Sequence, residues 1–427
     1  MKVLVCGASG FVGQAVCARL EAAGHVVLRG MRSGGDVAVD FAHDGDPAAW
    51  MARLAGVEVV VNAVGVIRDS AKARFSEVHH RAPAALFTAA AALGLRRIVQ
   101  ISALGAASGD TPYFASKRAA DEHLAGLGVD WIILRPSLVF GAGGASTKMF
   151  CTLAALPAVP LPAVANARYQ PVHIDDLADA VLGAVEGRAA PGSIVDVVGL
   201  DAPSLPAMLS AYRRGLGKAG CTRSAKLRTV TVPAPIVALA ARIGDWLPKA
   251  VLTSDTWRML RAGSSAPSDG ITRLLGRPPR AIGNFFASED RACHTAELLR
   301  LRAQATLRGM VLRVALATVW LATAIVSAFI HPKESGLALL AATGITGAAA
   351  PLALYGASAL DAAFGIATLV LPSRALWILQ AALIAGYSAV IAVALPEFLH
   401  HPFGPLLKNL PILAILYILY TETWTTK

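Results

Sequence analysis

The sequence predicts an α/β protein with an open, doubly wound parallel sheet and a small second lobe, followed by a four-helix transmembrane bundle. Three observations carry this. Residues 2–13, KVLVCGASGFVG, join an apolar run to a glycine-spaced turn and then to a helical pattern. Short apolar runs and helical segments then alternate towards residue 198, the order expected of a parallel sheet. Beyond residue 310 come four long apolar runs almost free of charge.

The opening stretch sets the pattern. Val3–Cys6 reads as a buried strand, and Val12, Ala15, Val16 and Leu20 share one face of the helix that follows. Between them, Gly7 permits a tight turn and Gly10 offers no side chain to block a pyrophosphate. Gly13 lets the helix lie close to the sheet. The free N–H groups at the helix start would face phosphates. A second strand, Val26–Leu28, ends in Arg29-Gly-Met-Arg32. An NAD-selective site would place an acid there. Two guanidinium groups instead favour a 2′-phosphate, hence NADP, with NAD as the alternative. A third strand, Val37–Val39, ends in Asp40, which fits either an adenine contact or a turn cap.

A fourth strand, Val57–Val61, runs into Asn62-Ala63-Val64-Gly65, small residues that would let a nicotinamide lie against backbone. An alanine-rich helix at 81–93 leads to a fifth strand, Arg97–Ile101, ending at Ser102. Next comes Tyr113-Phe-Ala-Ser-Lys117. Residues four apart share a helix face, an ammonium beside a phenol lowers its pKa, and such a tyrosine exchanges a proton at a carbonyl or carbinol. Ser102 is placed to hydrogen-bond the substrate oxygen. A sixth strand, Asp130–Leu134, leads into Pro136.

Taken together, GASGFVG, VNAVG, ISALGA, YFASK, LRPSLVFG and PVHIDDLADAV resemble the short-chain dehydrogenase/reductase superfamily over residues 1–290. The likeness is to its extended and atypical branches, NAD-dependent epimerase/dehydratase-like. The subgroup is that of the dehydrogenase-like accessory subunit of respiratory complex I. The resemblance implies a Rossmann fold in which Gly7, Ser9, Gly10, Phe11, Val12 and Gly13 cradle the pyrophosphate. Arg32 would meet the 2′-phosphate, Asp40 the adenine, and Ala63 and Val64 would line the cleft. Pro136 would sit beside the nicotinamide. Ser102, Tyr113 and Lys117 would form the catalytic triad, with Tyr113 and Lys117 also touching cofactor. The sequence departs from the family in two places: Ser102 and Tyr113 are only 11 residues apart, and His79-His80 stands where many members carry asparagine.

In PVHIDDLADAV, Asp175 or Asp176 would cap a helix, and His173 reads as a packing residue. Residues 201–228 carry Arg213, Arg214, Lys218, Arg223, Lys226 and Arg228 without aromatic interleaving, which argues against nucleic acid and for a solvated or lipid-facing surface. The stretch 233–262 is amphipathic and fits either a roof over the cleft or a helix resting on a bilayer.

The totals agree. The chain has 427 residues, 55% of them hydrophobic and 16% charged, against about 25% charged in average soluble domains. Its net charge is +11, consistent with basic cytoplasmic ends. The spacing of Cys6, Cys17, Cys151, Cys221 and Cys293 suits reduced packing cysteines and no metal. Val3 already belongs to a strand, leaving no room for a signal peptide ahead of it. The apolar runs are Val311–Ile330, Leu337–Leu371 with Pro351 and Asp361, Ala375–Leu395 and Phe403–Tyr420. Together with HPFGPLLKNLP at 401–411 they resemble the DoxX-like four-helix membrane family. Asp361 within a span is costly unless paired, by Lys408 or a hydroxyl, or functional.

The expected organisation is thus a nucleotide domain at 1–165, a substrate lobe at 166–290, a linker helix at 291–309 and a membrane domain at 310–427. The expected activity is that of an NAD(P)-dependent oxidoreductase or epimerase, multi-pass in the inner membrane with its N-terminal domain cytoplasmic. Its substrate would be lipophilic and small, its other contacts membrane lipid or a membrane protein complex. Two alternatives stand beside it: a non-catalytic NADPH-holding assembly or sensor protein, and a transporter or quinone-handling unit regulated by the nucleotide domain.

Overall fold

The computed structural model describes residues 1–70, 73–162, 164, 167–218, 227–247, 250–286, 291–399 and 406–423. The chain divides into two compact units, Met1–Ala303 and Gln304–Lys427. Arg223, Lys226, the His401–Pro405 stretch and the side chains of Lys218 and Cys293 lie outside what is described.

The first unit is built on seven parallel strands: β1 (Lys2–Cys6), β2 (Val26–Met31), β3 (Val37–Ala38), β4 (Val59–Asn62), β5 (Arg97–Ile101), β6 (Trp131–Pro136) and β7 (Ser193–Val197). Their order across the sheet is β7-β6-β5-β4-β1-β2-β3. The chain order reverses at β1, which pairs with β2 on one side and β4 on the other. Ligands of open α/β sheets bind at such a reversal, beyond the C-terminal strand ends.

Helices cover both faces: α1 (Phe11–Ala22), α2 (Ala82–Ala92), α3 (Pro112–Ala125) and α4 (Ile174–Val185). Side chains alternate along β1. Val3 and Val5 point to a core with Val16 and Leu20 of α1 and Leu177 and Val181 of α4. Leu4 and Cys6 point to the opposite core with Leu86 of α2 and Leu124 of α3. In the sheet's centre lies a buried polar pair, Asn62 Nδ2 donating to Gln100 Oε1 at 2.8 Å.

A second lobe packs Phe140, Phe150, Met208, Leu209 and Tyr212 around Phe285 and Phe286. Neither Asp175 nor Asp176 caps α4. His173 does, its ring Nδ1 accepting the Asp175 N–H. Asp176, fully buried, instead binds Arg277 at 2.7 Å and Arg280 at 2.8 Å, clamping the LGRPPR segment against α4.

Among the described residues, three helices are long and apolar enough to cross a membrane: Ala296–Ile330, which begins in the first unit, and Ala349–Val370 and Arg374–Ala394 of the second. The fourth run does not reach that length among the described residues. Its helix, Asn409–Glu422, has 14 residues, about 21 Å at 1.5 Å each, short of a hydrocarbon core of about 30 Å. Pro351 does not break its helix, because it falls in the first turn, where no backbone donor is lost. A buried network ties the three long helices together. Trp320 Nε1 donates to Gln380 Oε1, and Gln380 Nε2 donates to Thr368 Oγ1, both at 2.9 Å. Asp361 is buried, and its Oδ1 accepts no hydrogen bond from any described residue.

Candidate active site

The phosphate loop follows from steric limits. Gly7 adopts φ +81°, a left-handed conformation that glycine takes without strain. A Cβ on Gly13 would lie 2.1 Å from the Gly7 carbonyl oxygen, so only glycine lets α1 start this close to the loop. Gly10 is the N-cap, and no side chain caps the helix. The first-turn N–H groups of Phe11, Val12 and Gly13 therefore remain donors for an anion. Ser9 and Gly10 are exposed beside them. Above the loop, the Phe11 ring packs on Gly141, Gly143 and Gly144, where added Cβ atoms would sit 2.8 to 3.2 Å from ring carbons. That glycine-rich turn after β6 walls the loop on one side.

Arg29, inside β2, and Arg32, just beyond it, part company. Arg29 is held by Glu21 at 2.8 Å, and its N–H by Asp36 at 2.8 Å. Arg32 is exposed and forms no ion pair with a described residue, and its charge acts at a distance on Asp40. Asp40 caps a local turn. Its carboxylate accepts from the Ala42 N–H at 3.2 Å and pairs with His43 Nδ1 at 2.9 Å. The His43 contact holds it below the usual carboxylate range.

Helix α3 carries the tyrosine–lysine pair. Thr111 caps it by accepting the Phe114 N–H, and Pro112 occupies the first turn. Lys117 is buried. Its Nζ donates to Ile101 O at 3.2 Å and Val64 O at 3.3 Å, joining the ends of β5 and β4. Burial pulls its pKa down to about 8, with Asp121 opposing. Tyr113 is packed edge-on to Phe75, His79 and Phe114, with ring centroids 5.4 to 5.9 Å away. Its hydroxyl bonds to no described residue. Burial pushes its pKa up to about 12. This differs from the sequence expectation of a lysine-lowered tyrosine. The ammonium is engaged by two carbonyls, and the phenol sits among aromatic rings, which favours its neutral, proton-donating form.

Ser102 also differs from expectation. Its hydroxyl donates to Asp121 Oδ2 at 2.8 Å, and Arg135 Nη2 reaches the same oxygen at 3.2 Å. The serine hydrogen is thus committed, leaving the oxygen lone pairs as the hydroxyl's remaining capacity. Sequence reasoning missed Asp121 and Arg135. Asp121 stands four residues after Lys117 and eight after Tyr113, on their helix face, and that spacing was the available signal. Pro136 ends β6, its carbonyl accepting the Leu104 N–H at 2.9 Å, so the loop after Ser102 is pinned beside it. Ser102, Tyr113, Lys117, Val64 and Pro136 thus cluster at the ends of β4, β5 and β6, while Arg32 and Asp40 lie at the ends of β2 and β3.

His79, not His80, enters the site. A π-helical turn, Ser76–Arg81, carries it. Its Nε2 accepts the Val66 N–H at 2.9 Å, and its Nδ1 lies 3.0 Å from Ser116 Oγ. Ser116 Oγ already donates its hydrogen to Tyr113 O, so His79 Nδ1 carries the proton. Burial, then Lys117, lowers its pKa to about 2. We expect the His79 nitrogens to keep one Nδ1–H tautomer and not to titrate between about pH 5 and 8, where free histidine does. A pH series of ¹⁵N imidazole spectra, assigned with His79→Gln, checks this. A midpoint near 6.5 would show an accessible, uncoupled ring.

Among the described residues, no group of three or more His, Cys, Asp or Glu side chains is placed to hold a metal. The open loop donors and the missing Cβ atoms fit the pyrophosphate of a dinucleotide.

Comparison with known proteins agrees with this geometry. Residues 3–197 match the NAD dependent epimerase/dehydratase family, and residues 317–417 match the DoxX-like family. The chain joins an NAD dependent epimerase/dehydratase domain to a DoxX-like domain. The glycine loop and the first domain's strands β1 to β7, save Lys2 at the start of β1, fall within the matched residues. The chain is 26% identical over 303 residues to (4-alkanoyl-5-oxo-2,5-dihydrofuran-3-yl)methyl phosphate reductase of Streptomyces griseus, covering 68% of this chain and 98% of that protein. It is 28% identical over 189 residues to ceramide reductase of Caulobacter vibrioides, covering 41% of this chain and 58% of that protein. An NADPH-dependent quinone oxidoreductase from Escherichia coli, solved with NADPH, shares 19% identity at a TM-score of 0.51 over 66% of this chain and 98% of its own. A nucleoside-diphosphate-sugar epimerase from Staphylococcus aureus shares 18% at 0.51, over 67% and 99%. These two likenesses establish the fold of the epimerase/dehydratase domain.

Proposed function

We propose that the protein is a membrane-anchored, NADP-preferring oxidoreductase or epimerase acting on a small lipophilic substrate. The observation that carries this is Tyr113: a neutral phenol without a hydrogen-bond partner among the described residues, one turn before a buried lysine, at the C-terminal ends of the parallel strands. The glycine loop and the N–H groups of Phe11, Val12 and Gly13 would hold the pyrophosphate. Arg32 would hold the 2′-phosphate, Asp40 the adenine, and Ala63, Val64 and Pro136 the nicotinamide half. When bound, the nicotinamide supplies or accepts hydride. Tyr113 gives its proton to the substrate oxygen in reduction and takes it back in oxidation. Lys117, fixed by Ile101 O and Val64 O, presents its remaining N–H to the ribose. Ser102, its own hydrogen on Asp121, accepts from a substrate hydroxyl.

Residues 166–290 would form the substrate lobe. The three apolar helices and the named reductase of a sphingolipid among the relatives support a lipid-soluble substrate. Arg300, Arg302 and Arg308 ahead of the first long apolar stretch, with Arg313 near its start, favour a cytoplasmic epimerase/dehydratase domain at the inner membrane. A second reading, a protein that holds NADPH without turnover, is favoured by one observation: the Ser102 hydrogen is already committed to Asp121.

A titration of the full chain in detergent with NADPH and NADH tests the nucleotide reading. Arg32→Ala should weaken NADPH roughly 10- to 100-fold, the worth of a charge-assisted contact of about 1.5–3 kcal/mol, and leave NADH unchanged. Equal loss for both nucleotides, or no loss, would remove Arg32 from the 2′-phosphate site.

A further inference from the structure

The helix Ala234–Trp246 shows two unlike faces. Val237, Ala241 and Gly244 are buried, the first two packing with Trp257. Ile236, Leu239, Ile243 and Trp246 are 58, 60, 57 and 89% exposed. They recur at i, i+3, i+7 and i+10, a single stripe along one side. The stripe faces away from the packed side of the helix, so a roof over the cleft would leave it uncovered. Val251 and Ile67 are exposed apolar residues as well. Contiguous apolar surface of this kind on a folded domain marks a contact with something apolar.

The surrounding charge says what that is. Residues 201–262 hold ten Lys and Arg against three Asp, and among the described ones Arg214, Arg228, Arg242 and Arg261 are exposed, whereas Arg213 is buried and Arg258 is paired with Asp255. Arg242, on the helix itself, is exposed between apolar positions. A basic, apolar-striped helix is complementary to an anionic lipid interface, where its apolar face sinks about 5–10 Å. The same chain carries three helices able to cross a membrane, so a bilayer is always within reach.

The helix is also fastened to the cleft. Arg68 donates from Nη2 to Leu247 O and from Nη1 to Ala250 O, both at 3.0 Å. Two residues earlier in the Arg68 segment, the Val66 N–H is held by His79. Two residues before that, Val64 O is held by Lys117.

We infer that the helix Ala234–Trp246 seats on an anionic bilayer, and that Arg68 thereby fixes the rim of the Tyr113–Lys117 cleft at the lipid surface, where a lipophilic substrate enters. The entry step rests on the proposed lipophilic substrate, whereas the seating does not.

The test uses the full chain in nanodiscs of mixed phosphatidylcholine and phosphatidylglycerol. An environment-sensitive fluorophore is placed on Leu239→Cys, with Cys221→Ser and Cys293→Ser made to keep labelling specific. Ile243→Cys is a second probe on the stripe, and buried-face Ala238→Cys is the control. The expected result is blue-shifted emission from both stripe probes, most of it lost when nitroxide-labelled lipid is included, with little loss from the control. The loss should lessen in phosphatidylcholine alone. A water-like emission at both stripe positions overturns the inference. So does a blue shift that lipid nitroxide does not quench, which would mean that a second copy or a protein partner covers the stripe. Equal quenching in both lipids overturns the electrostatic part. None of these readouts needs turnover, so they stand or fall apart from the oxidoreductase reading.

Discussion

Tyr113→Phe lowers turnover by roughly 10²- to 10⁴-fold, the usual loss when a general acid is removed, and leaves the NADPH Kd where it was. The substitution deletes a hydroxyl that bonds to no described residue and keeps the ring that packs against Phe75, His79 and Phe114. The fold therefore loses nothing, and Lys117, held by Ile101 O and Val64 O, stays in place. The measurement is NADPH oxidation by the full chain in detergent against a panel of lipid-soluble ketones and quinones. The pH profile separates the two groups. Lys117 has a pKa near 8, below its ordinary 10.5, so its charge is lost as pH rises through about 8. Reductive kcat/KM should fall there, while the Tyr113 limb lies near pH 12, beyond the working range. Unfolding is not the cause of that fall. Between about pH 8 and 10.5 the unfolded chain keeps the proton that folded Lys117 has released, so this group's contribution to stability rises with pH. A Tyr113→Phe protein that turns over like wild type would remove Tyr113 from the acid's role, whereas a wild-type chain that binds NADPH and reduces none of the panel would leave the NADPH-holding reading in its place.

What the sequence made legible was local. The strand, glycine turn and helix at residues 2–22 carry their own steric logic, and the Tyr113–Lys117 pair needs only helical spacing. What it hid was long-range. Ser102 meets Asp121 across 19 positions, and Asp121 meets Arg135 across 14, because β5, α3 and β6 converge at one edge. No periodicity reports such a meeting. The choice between His79 and His80 depended on a π-helical turn, whose extra residue per turn shifts the inward face away from ordinary helical spacing. The choice between Arg29 and Arg32 depended on Glu21, which lies on α1 and captures Arg29. Hydropathy found the three long helices. For the fourth run the described helix is Asn409–Glu422, since an apolar composition does not fix where a helix starts. The Trp320–Gln380–Thr368 network, joining three helices, was likewise beyond any local pattern.

Asp121→Ala destabilises the epimerase/dehydratase domain by about 3–5 kcal/mol, because it leaves the Arg135 guanidinium without its ion-pair partner in a buried setting. Thermal melting of the full chain in detergent reads the loss. Three groups lose a favourable neighbour at once: Arg135, the Ser102 hydroxyl that donates to Asp121 Oδ2 at 2.8 Å, and Lys117, whose buried charge Asp121 supports. Asp121 also has an oxygen, Oδ1, buried without any hydrogen-bond partner, so the wild-type network is itself incompletely satisfied. That makes the paired replacement informative. Asp121→Leu with Arg135→Met removes both charges and the unsatisfied oxygen together, and replacing a buried ion pair by apolar groups of similar volume is neutral or stabilising. The double variant should therefore melt near wild type, well above Asp121→Ala. Its kinetics then speak to function. With Asp121 gone, the Ser102 hydrogen is free to turn to a substrate carbonyl. If reduction needs that donor, the stable double variant gains turnover over wild type. If Ser102 works as an acceptor from a substrate hydroxyl, oxidation by the double variant slows while the melting temperature holds. A double variant as unstable as Asp121→Ala would show that the network holds the ends of β5 and β6 together by more than compensation of its own charges.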